Sequence, residues 1–384
     1  MKKSIISLLA MIPLLSFGQG GQFTGTGYYR VQNVDTKRYF SIVDDKNTSV
    51  GYGGVGKTDL RALQMLTGFE SKVAYNPATI CYVEKVGQKY NIKGQGLDLY
   101  QLTGRYLDVD IRTNGTYRIG GSTSGVSIYL RDYTVGGQTW PSVLNGGSST
   151  TCFWYFLPID QSATQYFGVK PEVQASATGD YWGTMYAGFA FKPSDANTKV
   201  YYVDRVVGSY AIIHEVTDVV PEDVPVVVRC SSAAPSDNKL TLYSLQGKQV
   251  NGNQLVGNYY CNYDANDEDG THTNLTAYNP NVMRLLGTTA DGKPAFVKSS
   301  ASCVTFSGRT GYYLPANKCW LRVSTSAPDE LLLVTEEEYT AGVDELTLDG
   351  SKAATGKWYD LQGRQVSAPG KGLYIRDGKK IVVK

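Results

Sequence analysis

The chain has 384 residues, too many for one ordinary domain and enough for two sizeable cores plus an appendage. Its 42 Gly and 29 Tyr, with Asn-Gly and Asp-Gly pairs scattered along it, point away from a helical architecture and towards short strands and tight turns, an all-β class. Lys+Arg 37 against Asp+Glu 35 gives +2, and loss of Lys2 and Lys3 with a leader brings 37 to 35, so the electrostatic footprint of a nucleic-acid or anionic-membrane binder is missing.

Lys2 and Lys3 form a positive n-region, residues 5–17 an apolar run too short to span a bilayer, and Ser16-Phe17-Gly18 a small-x-small cleavage site. Residues 1–18 therefore read as a signal peptide, with the mature protein starting at Gln19. No cysteine follows that site and no later apolar run reaches transmembrane length, so export without a lipid or transmembrane anchor is expected.

Residues 23–160 read as an N-terminal β domain. Two alternating stretches in GYYRVQNVDTKRYFSIVDD, split by a polar turn, predict a hairpin. Thr36-Lys-Arg38-Tyr39-Phe40-Ser-Ile42 is echoed by Thr103-Gly-Arg105-Tyr106-Leu107-Asp-Val109, and Tyr29-Arg30-Val31 by Tyr117-Arg118-Ile119, as in repeated β units without a strict period. These openings, closed by Phe153-Trp154-Tyr155-Phe156, resemble those of ricin-type β-trefoil lectins; a trefoil-like barrel and another small barrel or sandwich both stay open. One helix is expected within the domain, capped by Asp59, with Leu60, Leu63 and Leu66 on one face and Gly68 as its stop. Gly51-Tyr-Gly-Gly-Val-Gly56-Lys57-Thr58 fits the P-loop pattern, but the buried strand that should lead into such a loop is missing from the sequence, so it reads as a glycine-rich loop.

Residues 161–338 read as a second β-rich domain. The ordered motifs GTMYAGFAF, KVYYVDRV, VPEDVPVVVRC, NQLVGNYY, MRLLG, PAFVKSS and LPANKCWLRV resemble a module of secreted Bacteroidota proteins of uncharacterised function, and that resemblance supplies no catalytic residue. The acidic run after Tyr263 fails the register of a calcium loop, because Asp269 stands where glycine is needed and no glutamate closes it. His272 beside it is expected to be exposed, and His214 to be a structural histidine in a strand. With two histidines and no G-x-S-x-G or H-E-x-x-H, triad and zincin chemistry lack their residues, whereas a carboxylate pair for glycoside hydrolysis stays open. No cofactor or metal is expected.

The six cysteines, Cys81, Cys152, Cys230, Cys261, Cys303 and Cys319, form no CxxC, and an exported chain favours disulfides. If bridges respect domain boundaries, Cys81 pairs with Cys152 and the other four pair among themselves.

In the tail, residues 342–384, Tyr359-Asp-Leu-Gln-Gly363-Arg364-Gln-Val, then Gly372-Leu-Tyr374-Ile, then a basic ending at Lys384, resemble the C-terminal sorting domain of type IX secretion cargo. That resemblance implies passage through the periplasm to the outer surface and engagement of secretion machinery. Three short strands are expected there, forming a small sandwich with help from residues 343–348. The sequence as a whole thus predicts a secreted or surface-exposed, non-enzymatic β protein that binds a glycan or a host or matrix protein through Tyr and Trp, with a carboxylate-dependent hydrolase or a purely structural surface protein as alternatives.

Overall fold

A computed structural model describes residues 23–45, 60–87, 89–98, 108–111, 115–123, 126–133, 139–146, 148–160, 164–244, 250–265, 270, 272–341, 357–361, 364–367, 369–376 and 379–383. The leader, the P-loop-like run, Asp59, most of the Thr103–Val109 echo, most of the acidic run, Gly363 and Lys384 lie outside these residues. The described chain is nearly all β, and it divides into two compact units between Tyr166 and Phe167.

In the first unit an antiparallel sheet runs Ser142–Asn145, Val126–Arg131, Tyr117–Thr123, Trp154–Pro158, Gly27–Asn33, Cys81–Val86, Lys89–Gly94 and Leu97–Asp98. The hairpin forms as its alternation predicts: Tyr39–Ile42 returns alongside Gly27–Asn33 after a turn closed by Asn33 N–H donating to Arg38 O at 2.9 Å. Asn33 shapes that turn, its side-chain oxygen accepting from the backbone N–H of Asp35 (3.0 Å) and Thr36 (3.1 Å). The Tyr29 and Tyr117 echo has a structural meaning. Their strands flank Trp154–Pro158 on either side, and both rings are buried edge-on against Phe156, at 6.0 and 5.4 Å. Arg38 is drawn inward to Asp132, with Nε donating at 2.8 Å, so the echoed Arg is a buried half of an ion pair.

Two expectations for this unit are corrected. Where a helix is expected, Leu63–Leu66 is a strand laid against Tyr39–Ile42, with Ile42 opposite Leu63 and Tyr39 opposite Leu66. The run satisfies two periods at once, because Leu63 and Met65 are buried while Gln64 and Leu66 are half-buried, and an open strand edge selects the period of two. Helical turns come only afterwards, at Phe69–Val73. The strand register also argues against the Cys81–Cys152 bridge. Cys81 stands opposite Tyr29 on one side of Gly27–Asn33, whereas Cys152 precedes the Trp154–Pro158 strand on the other side, with Trp154 opposite Asn33. Two strand spacings alone separate them by about 9 to 10 Å, beyond disulfide reach.

In the second unit ten strands form one curled sheet in the order Val173–Gln174, Tyr181–Met185, Val226–Cys230, Lys199–Val207, Tyr210–Glu215, Glu330–Thr335, Pro294–Val297, Met283–Thr288, Lys318–Arg322 and Leu255–Asn258. Only the Tyr210–Glu215 and Glu330–Thr335 pair is parallel. Trp182, Val203, Ile213, Val227, Phe296, Leu321 and Leu331 are among the side chains that fill its core. The curl brings distant members of the order together: Cys319 N–H donates to Thr184 Oγ1 at 3.4 Å, and Tyr186 N–H to Asn317 O at 3.0 Å. The Glu336–Glu338 run opens a short helix at Glu336–Ala341, with Glu337 and Glu338 exposed. Thr335 and Glu338 cap it reciprocally, Thr335 N–H donating to the Glu338 carboxylate (2.7 Å) and Glu338 N–H to Thr335 Oγ1 (3.2 Å).

The tail forms a four-stranded antiparallel sheet in the order Gln365–Val366, Trp358–Tyr359, Gly372–Arg376, Lys379–Val383. All four strands come from residues 358–383, one more than expected, and residues 343–348 lie outside the described residues. Tyr359 pairs with Gln365 and Ile375, Gly372 starts its strand opposite Val383, and Tyr374 packs edge-on to Trp358 at 6.2 Å. Arg364 is clasped to Asp360, its backbone N–H at 2.8 Å and its Nε at 2.7 Å, which closes the tight loop of the Tyr359 motif.

Candidate functional site

Four of the motifs singled out in the second domain converge on one ring, that of Tyr186. In GTMYAGFAF, Tyr186 exchanges hydrogen bonds with Asn317 of LPANK, its N–H donating to Asn317 O (3.0 Å) and its O accepting from Asn317 Nδ2 (3.1 Å). Asn317 makes this two-way contact from a left-handed turn, φ 58°, a conformation asparagine tolerates. The third motif, NQLVGNYY, supplies Gly257, over which the Tyr186 ring lies with no room for a side chain. It also supplies Tyr259, whose ring stands 4.2 Å from that of Tyr186 at 35°. The fourth, VPEDVPVVVRC, supplies Asp223, whose carboxylate accepts from the Tyr259 hydroxyl. Asp223 is likewise left-handed, φ 61°, and its N–H donates to Ala187 O at 3.0 Å.

A second group of rings follows along the chain. Tyr260 lies 5.8 Å from Tyr259, and three residues on, Tyr263 packs on Phe306 at 5.3 Å, which in turn lies 5.9 Å from Tyr313. Exposed Arg309 covers the second cluster, its guanidinium 5.0 Å from the Tyr263 centroid and 5.9 Å from Tyr313. Asn258 pins the run that carries these tyrosines. Its buried amide donates to Tyr260 O (2.9 Å), Leu314 O (3.2 Å) and Pro315 O (2.9 Å), and its oxygen accepts from Thr276 Oγ1 (2.9 Å). Tyr186, Tyr259, Tyr260, Tyr263 and Phe306 are half-buried, and Tyr312 is 52% exposed.

The electrostatics favour the neutral phenol at Tyr259 and Tyr186. Burial, and then the Asp223 carboxylate, push Tyr259 well above the usual phenol range, and burial raises Tyr186. Such a strip offers flat apolar faces, hydroxyl donors, one carboxylate and one guanidinium. It is suited to stacking and hydrogen bonding.

The other candidate groups fall elsewhere. A cleft of about 480 Å³ is lined by Glu172, Lys298, Ser299, Ser302, Asp329 and Glu330, among others. Glu172 Oε1 in that cleft is already occupied, accepting from Thr184 N–H (2.6 Å), Thr184 Oγ1 (2.7 Å) and Lys318 Nζ (3.0 Å). Asp329 pairs with Lys298 at 3.1 Å. Among the described residues no cluster of three His, Cys, Asp or Glu side chains is arranged to hold a metal ion. His214 stacks on Tyr202 with Nε2 3.6 Å from Glu336, and His272, expected to be exposed, is buried, its carbonyl accepting from Asn262 Nδ2 at 3.1 Å.

None of the six cysteines is joined to another in the structure. Burial pushes Cys81 and Cys230 up to about 12 and raises Cys152, Cys303 and Cys319, so none has the low pKa of a nucleophilic thiolate. The tail residues Tyr359, Arg364, Gly372 and Tyr374 stand in their own sheet. Sequence reading missed the tyrosine strip itself. Its signal, Tyr259, Tyr260 and Tyr263 within six residues, was present, but the partners come from three other segments.

No family model matches the chain, and no curated protein does. Among solved structures, a mosquitocidal holotoxin matches at 12% identity with a TM-score of 0.27, over 77% of this chain and 34% of that one. The chain thus spans about a third of that protein's length.

Proposed function

We propose that this β-rich protein is secreted or cell-surface and non-enzymatic, and that its second unit binds a glycan on the strip running from Tyr186 through Tyr259 and Tyr260 to Tyr263. The observation that carries this reading is the convergence of four separate segments to hold half-buried tyrosine rings side by side outside the core. Rigid aromatic faces stack on the apolar faces of sugar rings, while phenol, carboxylate and guanidinium groups at the edge accept and donate to sugar hydroxyls. Tyrosine does this at low entropic cost, having few rotatable bonds to immobilise. A host or matrix protein is the other class of partner that such a surface suits.

The export reading rests on the sequence of residues 1–18 and on the likeness of Tyr359, Gly363, Arg364, Gly372, Tyr374 and Lys384 to a type IX sorting tail. We take the tail as the address and the two units as the cargo.

A broad glycan array probed with the mature chain from Gln19 tests the binding reading. At least one glycan class should be retained by the wild type and lost by Tyr186→Ala and Tyr260→Ala. An array without hits, together with capture of a host surface protein that depends on the same tyrosines, would move the reading to protein binding. Hits kept by both variants would remove the strip from the account.

A further inference from the structure

We infer that Cys261 and Cys303 are a disulfide-forming pair, a clasp between the tyrosine-bearing run and the segment that leads into Val304. These two stretches are far apart in sequence and meet in space. Tyr263, two residues after Cys261, packs its ring 5.3 Å from Phe306, three residues after Cys303. Backbone hydrogen bonds fix the connecting pieces on both sides. Asn262 and Asn274 exchange a pair at 3.0 and 2.9 Å, Val304 and Tyr313 a pair at 2.8 and 2.9 Å, and Leu314 N–H donates to Thr276 O at 2.9 Å.

Of the six cysteines only these two are half-buried, so only they are open to an external oxidant. Cys303 rests on Met283, Leu285, Leu314 and Trp320, which orients it without sealing it. Burial first, and Cys303 second, push the Cys261 thiol up to about 11.

The bridge left to the other two cysteines of this unit, Cys230 with Cys319, does not form beside it, which corrects the expectation that all four pair among themselves. Cys319 Sγ donates to Val226 O at 3.4 Å, and Cys230 stands at the far end of the same Val226–Cys230 strand. Four residues of strand span about 13 Å, roughly twice the Cα separation a disulfide tolerates.

The bond forms by thiol–disulfide exchange with an external disulfide, of a small molecule or of an oxidoreductase. One cysteine loses its proton, and its thiolate attacks the external disulfide and releases one thiol. The second cysteine, deprotonated in turn, attacks the mixed disulfide and releases the other. One S–S bond forms and one breaks, and the two electrons and two protons end on the oxidant as two thiols. Because only thiolates attack and both thiols are raised, the reaction should speed up as pH rises.

The test is non-reducing peptide mapping of the mature chain after incubation with oxidised glutathione under native conditions. The expected product is a peptide linked through Cys261 and Cys303, formed faster at pH 9 than at pH 7, with the other four thiols alkylated only after unfolding. The oxidised protein should melt higher than its reduced form, and Cys303→Ser should erase that difference. Should Cys303→Ser not fold, the wild-type map decides alone. Finding both thiols free, each capped separately by glutathione, or Cys261 joined to another cysteine would overturn the inference.

Discussion

Gly257 decides whether Tyr186 can lie where it does. A Cβ at that position would come within 2.3 Å of the Tyr186 ring, so the ring must move if Gly257 is replaced. Gly257→Ala is therefore expected to lower stability by about 1 to 3 kcal/mol, as overpacking does, and to weaken ligand binding with it. Denaturant unfolding at constant m-value checks the first part. Tyr259 sets a pH dependence of definite sign. Its phenol is raised in the folded chain by burial and by donation to Asp223, so above the unfolded phenol pKa, about 10, the folded state binds more protons than the unfolded one. The stability it contributes is fully present below pH 10 and declines as pH climbs past it. Tyr259→Phe should be less stable than wild type at pH 7, by about 1 to 3 kcal/mol for a lost hydrogen bond to a charged group, and should show a shallower alkaline decline. Chemical unfolding across pH 7 to 11 gives both slopes. In the first unit, Asp132→Ala leaves the Arg38 guanidinium without its buried partner and is expected to cost about 3 to 5 kcal/mol. A shift of similar size for Arg38→Ala and little further loss in the double variant would show that the pair acts as one unit.

At the scale of elements, what was legible in the sequence was whatever depended on near neighbours. The hairpin through Tyr29 and Tyr39 followed from alternation around a polar turn, and the tail strands at Gly372–Arg376 and Lys379–Val383 from their spacing and apolar residues. Leu63–Leu66 was misread because its leucines fit a helix, whereas its fate was set by the free edge of Tyr39–Ile42, which local sequence does not encode. The helix at Glu336–Ala341 has a local signal, since Thr335 and Glu338 spell a capping box. The tyrosine strip was the least legible feature. Asn317, Asp223 and Gly257 each act at a distance in sequence, through left-handed turns and a missing side chain, and only the fold brings them to Tyr186. A clasp through Cys261 would also bear on this element, since Cys261 directly follows Tyr260 in the run that carries the strip.

Each of the two units has a core of its own, and among the described residues the tail strands pair only with one another. Deletion after Ala341, which retains the Glu336–Ala341 helix, is therefore expected to leave thermal unfolding of the remaining chain nearly unchanged. In a native host the same deletion should hold the protein in the periplasm if the tail is the address. Surface delivery of the truncated chain would make the tail an ordinary structural element. The central claim, that the tyrosine strip is a binding surface, is met most directly by titrating ring-labelled tyrosine in the mature chain with a glycan recovered from the array and following each ring resonance by NMR. The account predicts saturable shifts confined to Tyr186, Tyr259, Tyr260 and Tyr263, abolished by Tyr186→Ala, with Tyr133 of the first unit unmoved. Shifts at Tyr133 and none along the strip would contradict it.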